Sequence, residues 1–406
     1  MKVLYFHQHF ATPDGSSGTR SYEFAKALIA KGHKVTMVCG QSDRGGFDLP
    51  YDGRKGWHRG VIDGIDVIAL PLPYSNSDGV AKRLLTFARF AWKSVGIALR
   101  EECDLVFATS TPLTAAIPGI VARWLRRKPF VFEVRDLWPE LPRAMGMKNP
   151  ILLGGMWILE GLAYRSSTAC VGLAPGIVEG IARRSRDNHP VALIPNGCDL
   201  ELFHPGLRAP IDLAGIAPGD FVAGFTGAHG RANGLDAILD AAAVLKRRGV
   251  TRIKILLVGD GSEKPRLIAR AKTEGLDNVL FHPPMPKRKL AILTASLGCG
   301  LMTLDNIPAF YRGTSPNKFF DYLAAGIPVV NNYPGWLADM ITQGGFGEAV
   351  PAGDPGALAE ALSRLSSNPH RALLMGRAAR DYAASRFERG ILADKFVGAL
   401  ESTLAG

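Results

Sequence analysis

One feature limits the fold of this 406-residue chain more than any other: a repeating alternation. A short apolar or β-branched run is followed by a turn and then by a segment of helical period. VLYFH (3–7) leads through a Gly/Ser turn to a helix over 20–31, then to KVTMVCG (34–40). DLVFATS (104–110) leads to a helix over 114–127, and then come PFVFEVRD (129–136), STACVGLAP (167–175) and PVALIPNG (190–197). DFVAGFTG (220–227) starts a second series, with a helix over 235–248. RIKILLVGDG (252–261), NVLFHPP (278–284), LGCGLMTL (297–304) and IPVVNNY (327–333) complete it. Apolar strands alternating with amphipathic helices predict α/β parallel sheets covered on both faces. The Pro- and Gly-rich stretch 195–218 separates two sheet sets, giving domains over 1–200 and 205–385. Two such domains are expected to open a cleft at their strand C-termini, the usual ligand position in these sheets.

Composition is that of an ordinary globular protein: 47% apolar, 21% charged, with 46 Gly and 27 Pro. The net charge of +11 leans to the first 200 residues, which hold 25 basic and 18 acidic side chains. Such a balance suits nucleic acid, an anionic membrane or a phosphate-bearing substrate. Five scattered cysteines without a CxxC pair argue for a reducing compartment and against a disulfide framework or a zinc site. The opening MKVLYF reads as a first strand, too short for a signal peptide. No run of about 18 uncharged apolar residues predicts a spanning helix.

Glycine loops follow the first strand of each domain. DGSSGTR (14–20) carries Gly15, Ser17 and Gly18, and a Gly/Ser loop at a helix start lets amides approach an anion. It is neither GxGxxG nor a P-loop, and a ligand-free strand–helix turn is the alternative. TGAHGRANG (226–234) brings Gly227, Gly230, Arg231 and Asn233 to a second helix start, where Arg231 has the charge to neutralise a diphosphate. Gly259 and Gly261 in VGDG (258–261) mark a strand-ending turn at the same rim. In GTSPNKFFDYLAAGIPVV (313–330), Lys318 and Asp321 share a helical face. Lys318 opposes the helix dipole unless an anion sits there, and Asp321 suits ribose hydroxyls. A surface ion pair between the two is the plainer alternative.

EVRDLWPE (133–140) clusters charges at a strand end, so any of Glu133, Asp136 and Glu140 has the chemistry of a general base or an orienting group. Over 80–100, Lys82, Arg89, Lys93 and Arg100 fall on one helical stripe, with Trp92 in the same segment. A basic amphipathic helix with Trp and Phe suits an anionic membrane surface, and a helix packed on its own sheet is the alternative. His7 and His9 share a strand face without a third ligand, so no metal is expected. No GxSxG, Cys–His or HExxH arrangement occurs, and no zinc-finger or RNA-binding signature, so nucleic acid is not an expected partner.

Together these motifs resemble glycosyltransferase family 4, whose fold is GT-B: two Rossmann-like domains around a central cleft. YEFAKAL (22–28) with KGHKV (31–35) resembles the family's N-terminus, and IPNGCD (194–199) its interdomain signature. VGDG (258–261) and 318–330 resemble two more. EVRDLWPE (133–140) resembles the branch that builds O-antigen and exopolysaccharide units, whose members transfer N-acetylated amino sugars such as N-acetylfucosamine. The resemblance implies that Arg231 and Lys318 hold the donor diphosphate, with Asn233 where the family has a lysine. It implies Asp321 on the ribose and the base near Pro284 and Met285. The first acid of the family's E-x7-E motif falls at Gly313, so backbone around Ser315, Asn317 and Lys318 is expected to replace it. RFE (386–388) resembles the point where the last helix, 387–406, crosses back to pack on the first domain.

The expected activity is a retaining, metal-independent transfer needing no cofactor. The donor is a UDP-linked sugar and the acceptor a polyprenyl-diphosphate-linked sugar. Arg231, Lys318 and loop amides near Gly18 stabilise the leaving diphosphate, which takes the acceptor proton, while Glu133 or Asp136 orients the acceptor. The expected location is cytoplasmic, on the inner face of the cell membrane. A nucleotide-sugar epimerase of the same architecture and a non-enzymatic membrane-binding protein are the alternatives.

Overall fold

The computed structural model describes residues 1–405 apart from 16–17, 42–44, 54, 75–77 and 111. The chain divides into two compact units, one of residues 1–195 with 390–406 and one of residues 196–389.

The first unit contains β1 (Lys2–Phe6), α1 (Arg20–Ala30), β2 (Lys34–Gly40), β3 (Tyr51–Asp52), β4 (Trp57–Ile62), β5 (Ile65–Leu70) and α2 (Val80–Arg100). It continues with β6 (Leu105–Thr109), α3 (Ala116–Arg126), β7 (Phe130–Val134), α4 (Glu140–Ala144), α5 (Pro150–Ser166), β8 (Ala169–Gly172), α6 (Pro175–Ala182) and β9 (Val191–Leu193). The sheet order is β3-β4-β5-β2-β1-β6-β7-β8-β9, parallel except for the pairings of β4 with β3 and β5. On one side of β1 lie β2 and then β5, β4 and β3, and on the other β6 to β9 in chain order, so the order reverses between β1 and β6. A crevice for ligands forms at the C-terminal ends of the strands flanking such a reversal.

The second unit contains β10 (Phe221–Thr226), α7 (Asp236–Arg247), β11 (Ile253–Val258), α8 (Lys264–Thr273), β12 (Val279–His282), α9 (Lys287–Ser296) and β13 (Cys299–Met302). Then come α10 (Pro308–Gly313), α11 (Asn317–Ala324), β14 (Val329–Asn331), α12 (Trp336–Gly344), β15 (Gly347–Ala349), α13 (Pro355–Ser367) and α14 (Pro369–Arg386). Its sheet, β12-β11-β10-β13-β14-β15, is parallel throughout and reverses between β10 and β13. The last helix, α15 (Arg389–Ala405), belongs to the first unit from Gly390 onward, and its Phe396 stacks on Phe24 of α1.

The strands pattern as expected because most are covered on both faces. β1, β6 and β7 are buried along nearly their whole length. The alternation missed β3, β4, β5 and β15. β4 (WHRGVI) is half-exposed and mixes polar with apolar residues, yet Asp63 and Gly64 between β4 and β5 both take positive φ, a tight hairpin turn. All five cysteines are buried and unpaired. Among the described residues, no helix is long and apolar enough to cross a membrane.

One buried ion pair ties the first unit's strand ends together. Arg20, the first residue of α1, pairs with Glu133 of β7 at 2.9 Å. It also donates to the carbonyls of Ile194 and Pro195, each at 2.6 Å. Thr109 of β6 donates to the other Glu133 oxygen at 2.7 Å. Breaking a buried pair strands a charge, so Arg20→Met is expected to lower unfolding free energy by about 3–5 kcal/mol in urea titration. A loss below about 1 kcal/mol would remove this brace from the account of the fold.

Candidate functional site

The second unit's crevice lies where the β10 and β13 ends part. After β10, Gly227 turns the chain with φ +147, and Gly230 precedes a 3-10 turn over Arg231–Asn233. Asn233 holds this loop, its amide donating to Ala228 O at 2.8 Å and its carbonyl accepting from Thr303 beyond β13, also at 2.8 Å. Lys318 reaches in from the first turn of α11. Its ammonium donates to Asn233 Oδ1 at 3.3 Å and lies 3.5 Å from the Phe225 ring centroid, a cation–π contact. A methyl group built on Gly227 would touch Lys318 Nζ, so glycine leaves the space beside the ammonium open.

No described carboxylate pairs with Lys318. Burial pushes its ammonium down to about 7. The surface ion pair with Asp321 is absent. Burial pushes the Asp321 carboxyl up to about 6, against the pull of Lys287 and Arg389. No side chain caps the start of α11, whose N-terminal end therefore carries its positive dipole uncompensated. Two oppositely charged groups thus stand one helical turn apart, each without an ionic partner.

Other expected site residues have more structural roles. Arg231 is exposed, forms no ion pair among the described residues, and lines a cavity of about 280 Å³ with Asp236, Arg266, Asp305, Asn306 and Asn332. The expected convergence of Arg231 with a free helix end at α7 is corrected. That end carries Asp236, which is bridged by Arg266 at 2.5 Å and Arg270 at 2.7 Å. Gly259 and Gly261 serve backbone contact between loops. A methyl group on Gly259 would overlap Gly227 O, and one on Gly261 would overlap His229 O. Ser315 is taken by Asn196, which donates to its hydroxyl and to its carbonyl at 3.1 and 2.6 Å. Asn317 is exposed, while Pro284 and half-buried Met285 follow β12.

In the first unit, Glu133 is corrected as a candidate base. It is fully buried and its oxygens are occupied by Arg20 and Thr109. Asp136 keeps that possibility: it is half-buried without a hydrogen-bond partner, and burial raises its pKa while Arg135 opposes the shift. Gly15 and Gly18 precede α1, and Ser17 lies outside the described residues. On α2, Arg89, Trp92, Lys93 and Arg100 are exposed, Trp92 at 81%. Lys82 is spoken for by Asp78 at 2.8 Å. Among the described residues, no three His, Cys, Asp or Glu side chains gather as a metal site would require.

Sequence reasoning missed Lys264 and His229. Lys264, opening α8, donates to Gly259 O at 2.7 Å and His282 O at 3.1 Å, joining the ends of β11 and β12. His229 is fully buried with both ring nitrogens unpartnered, and burial pushes it down to about 4. A lysine directly after GDGSE was the visible signal for the first, whereas nothing local marked the second.

Residues 15–197 match the family described as glycosyl transferase 4-like domain, and residues 220–368 match glycosyl transferases group 1. A curated relative, D-inositol 3-phosphate glycosyltransferase of Nocardia farcinica, is 29% identical over 206 residues, covering 49% of this chain and 44% of the relative. The chain therefore spans about half the length of the curated relatives it matches. Sucrose-phosphate synthase from Thermosynechococcus elongatus superposes with a TM-score of 0.77 at 18% identity, covering 100% of this chain and 99% of that one. HepE of Anabaena, solved in complex with UDP and glucose, gives 0.70 at 17% identity, covering 99% and 100%. The fold is GT-B, as the sequence motifs led one to expect.

The loop contact around Gly261 gives a direct check. Gly261→Ala is expected to destabilise the protein by about 2 kcal/mol, because a methyl group there overpacks against backbone. Chemical denaturation reads this, and an unchanged midpoint would show that the two loops yield.

Proposed function

We propose that this chain, a GT-B protein built from a glycosyl transferase 4-like domain and a group 1 domain, moves a sugar from a nucleotide diphosphate to an acceptor hydroxyl. The observation that carries this reading is Lys318, a half-buried cation with no carboxylate partner beside the open Gly227 turn. An isolated buried charge is unfavourable, so the site suits an anion that completes it. Diphosphate oxygens fit, with Arg231 supplying a second positive charge and α11 its dipole end. Asp321, one turn along α11, accepts from ribose hydroxyls, and the base lies near Pro284 and Met285. UDP is the favoured nucleotide because HepE, of the same fold, was solved with UDP and glucose.

The family resemblance favours retention and an N-acetylated amino sugar. The acceptor oxygen forms its bond to the anomeric carbon on the face from which the diphosphate departs. The bond from that carbon to the diphosphate oxygen breaks, and the acceptor proton passes to the departing diphosphate. Lys318 and Arg231 stabilise the charge that develops there without a protein-held metal or other cofactor. Asp136 orients the acceptor. The acceptor is a polyprenyl-diphosphate-linked sugar of surface-polysaccharide assembly, met on the inner face of the cell membrane.

Lys318 gives the reading a pH signature. Its unliganded pKa is about 7, so the cation is lost as pH rises through that value. Diphosphate binding restores the proton, so UDP-glucose affinity is expected to fall by up to about tenfold per pH unit above 7. Lys318→Arg keeps its charge and flattens this dependence. Lys318→Ala and Arg231→Ala each lower donor turnover at least about tenfold. Calorimetry from pH 6 to 9 checks the first part; pH-independent affinity in the parent protein, or undiminished turnover in both alanine variants, overturns the assignment.

The membrane reading rests on α2 and its neighbours. α2 packs on α3 and α3 on α5, and all three expose large apolar side chains. Leu85 and Trp92 stand beside Arg89 and Lys93 on α2, Trp124 and Leu125 lie on α3, and Ile151 and Trp157 on α5. Apolar side chains ringed by cations suit an anionic bilayer surface. Sedimentation with vesicles containing phosphatidylglycerol is expected to capture the parent protein. Trp92→Ser combined with Arg89→Gln and Lys93→Gln lowers the bound fraction several-fold; unchanged binding returns this face to plain solvent exposure.

A further inference from the structure

The first unit carries a second set of polar groups without partners, at its own strand-order reversal. His7, Gln8 and His9 follow β1 directly. His7 is 3% exposed and Gln8 2%, yet among the described residues His7 Nδ1 and both side-chain amide atoms of Gln8 have no hydrogen-bond partner. Arg83, in the first turn of α2, buries its Nε without a partner, and its guanidinium lies 5.9 Å from the Tyr74 ring centroid. Arg135 follows β7. Its backbone N–H donates to Ser110 Oγ at 2.8 Å, and its side chain joins no ion pair among the described residues. The His9 ring lies 4.6 Å from Tyr74 and 6.4 Å from Phe87.

Both arginines act on this segment. Burial first, then Arg135 and Arg83, push His9 down to about 4. Burial, then Arg135 and His9, hold His7 well below the ordinary imidazole range. Both imidazoles are therefore neutral at pH 7. Arg20 is near Arg135 but is satisfied by Glu133. The Asp136 carboxylate interacts with Arg135, and burial opposes its charge.

A buried polar group left unpaired costs about 1–3 kcal/mol, so several together at one strand-end crevice indicate a polar ligand. The sign of the charge selects its class. Two guanidinium groups act on His9, and one carboxylate, Asp136, interacts with one of them, Arg135; this balance calls for an anion, and the planar forks match phosphate oxygens. Arg83 also opens the helix whose exposed side carries Leu85, Arg89, Trp92 and Lys93. A phosphate held there sits at the start of an apolar and basic surface.

Resting on the transferase reading above, we propose that the β1/β6 crevice binds the phosphate or diphosphate group of the acceptor, with Arg83 and Arg135 as its cationic ligands and His7 and Gln8 as hydrogen-bonding partners. This makes them specificity-determining residues for a phosphate-bearing acceptor.

The test uses the full chain with UDP at saturating concentration, so that the donor site is filled. Inorganic pyrophosphate and geranyl diphosphate are titrated by calorimetry, with geraniol as the neutral control. Both diphosphates are expected to bind saturably, and geraniol without saturation. Arg83→Gln and Arg135→Gln each weaken diphosphate binding by about tenfold or more, while UDP affinity stays within about twofold and reports an intact fold. Arg83→Lys and Arg135→Lys recover part of the loss. Tighter binding of geranyl diphosphate than of pyrophosphate supports a lipid-borne group, and equal binding supports a free phosphorylated acceptor at the same site. Absent pyrophosphate binding, or binding that neither Arg83→Gln nor Arg135→Gln weakens, overturns the proposal. Pyrophosphate binding that depends on these arginines in a chain that fails to bind UDP leaves this site standing and sinks the donor reading instead.

Discussion

Two parallel strands cannot be joined by a tight turn, and from this constraint the rest of the molecule follows. Each pairing needs a crossover, here mostly helical, and the crossover keeps one hand. Strand order can then grow outward from the centre in both directions only if it reverses once. The reversals fall between β1 and β6 and between β10 and β13. At each, the loops leaving the strands diverge and leave polar side chains without ionic partners among the described residues. Lys318, Gly227 and Asn233 meet at one, and the His7–His9 segment lies at the other with Arg135 and Asp136 at the adjoining β7 end. The positions of the unpaired groups are thus set by topology, and the sequence chooses their charge.

Arg20 and Lys318 show what that choice does. Both lie in the first turn of a helix, and burial lowers the pKa of both. Arg20 is given a carboxylate and two carbonyls, and it becomes a brace. Lys318 is given an aromatic face and one amide oxygen, neither of which neutralises it. The protein could have placed an acid beside Lys318 as it did beside Arg20. Among the described residues no acid stands there, so the position suits an anionic ligand.

The fold was legible at β1, β6 and β7, where an uninterrupted apolar run reports a buried strand, whereas the equally buried IDVIAL of β5 was passed over. It failed at β4, whose half-exposed WHRGVI carries no clean period; the Asp63-Gly64 turn was the signal that remained. In the site, the spacing of Lys318 and Asp321 was enough to put them on one face. Glu133 was misread because its partner Arg20 lies 113 residues away, and no local pattern distinguishes a saturated carboxylate from a free one. The start of α7 was misread for the same reason, since Arg266 and Arg270 reach Asp236 from 30 and 34 residues along the chain. Residue types and spacings are local information, whereas partnership is tertiary.

Partnership also decides what the net charge of +11 means. Many arginines are spent on carboxylates: Arg59 on Asp66 and Glu101, Arg266 and Arg270 on Asp236, Arg364 on Glu348. These networks hold the surface together and attract nothing from outside. Many other cations join no ion pair among the described residues, and some of these are grouped: Arg83, Arg89, Lys93 and Arg100 lie along α2, with Lys318 and Arg231 around the β10 loop and Arg135 at the end of β7. Screening over about 10 Å makes more distant charges act separately. Only cations grouped within that range can act jointly on a multivalent anion. The total of +11 therefore matters less than which cations lie together without a carboxylate between them.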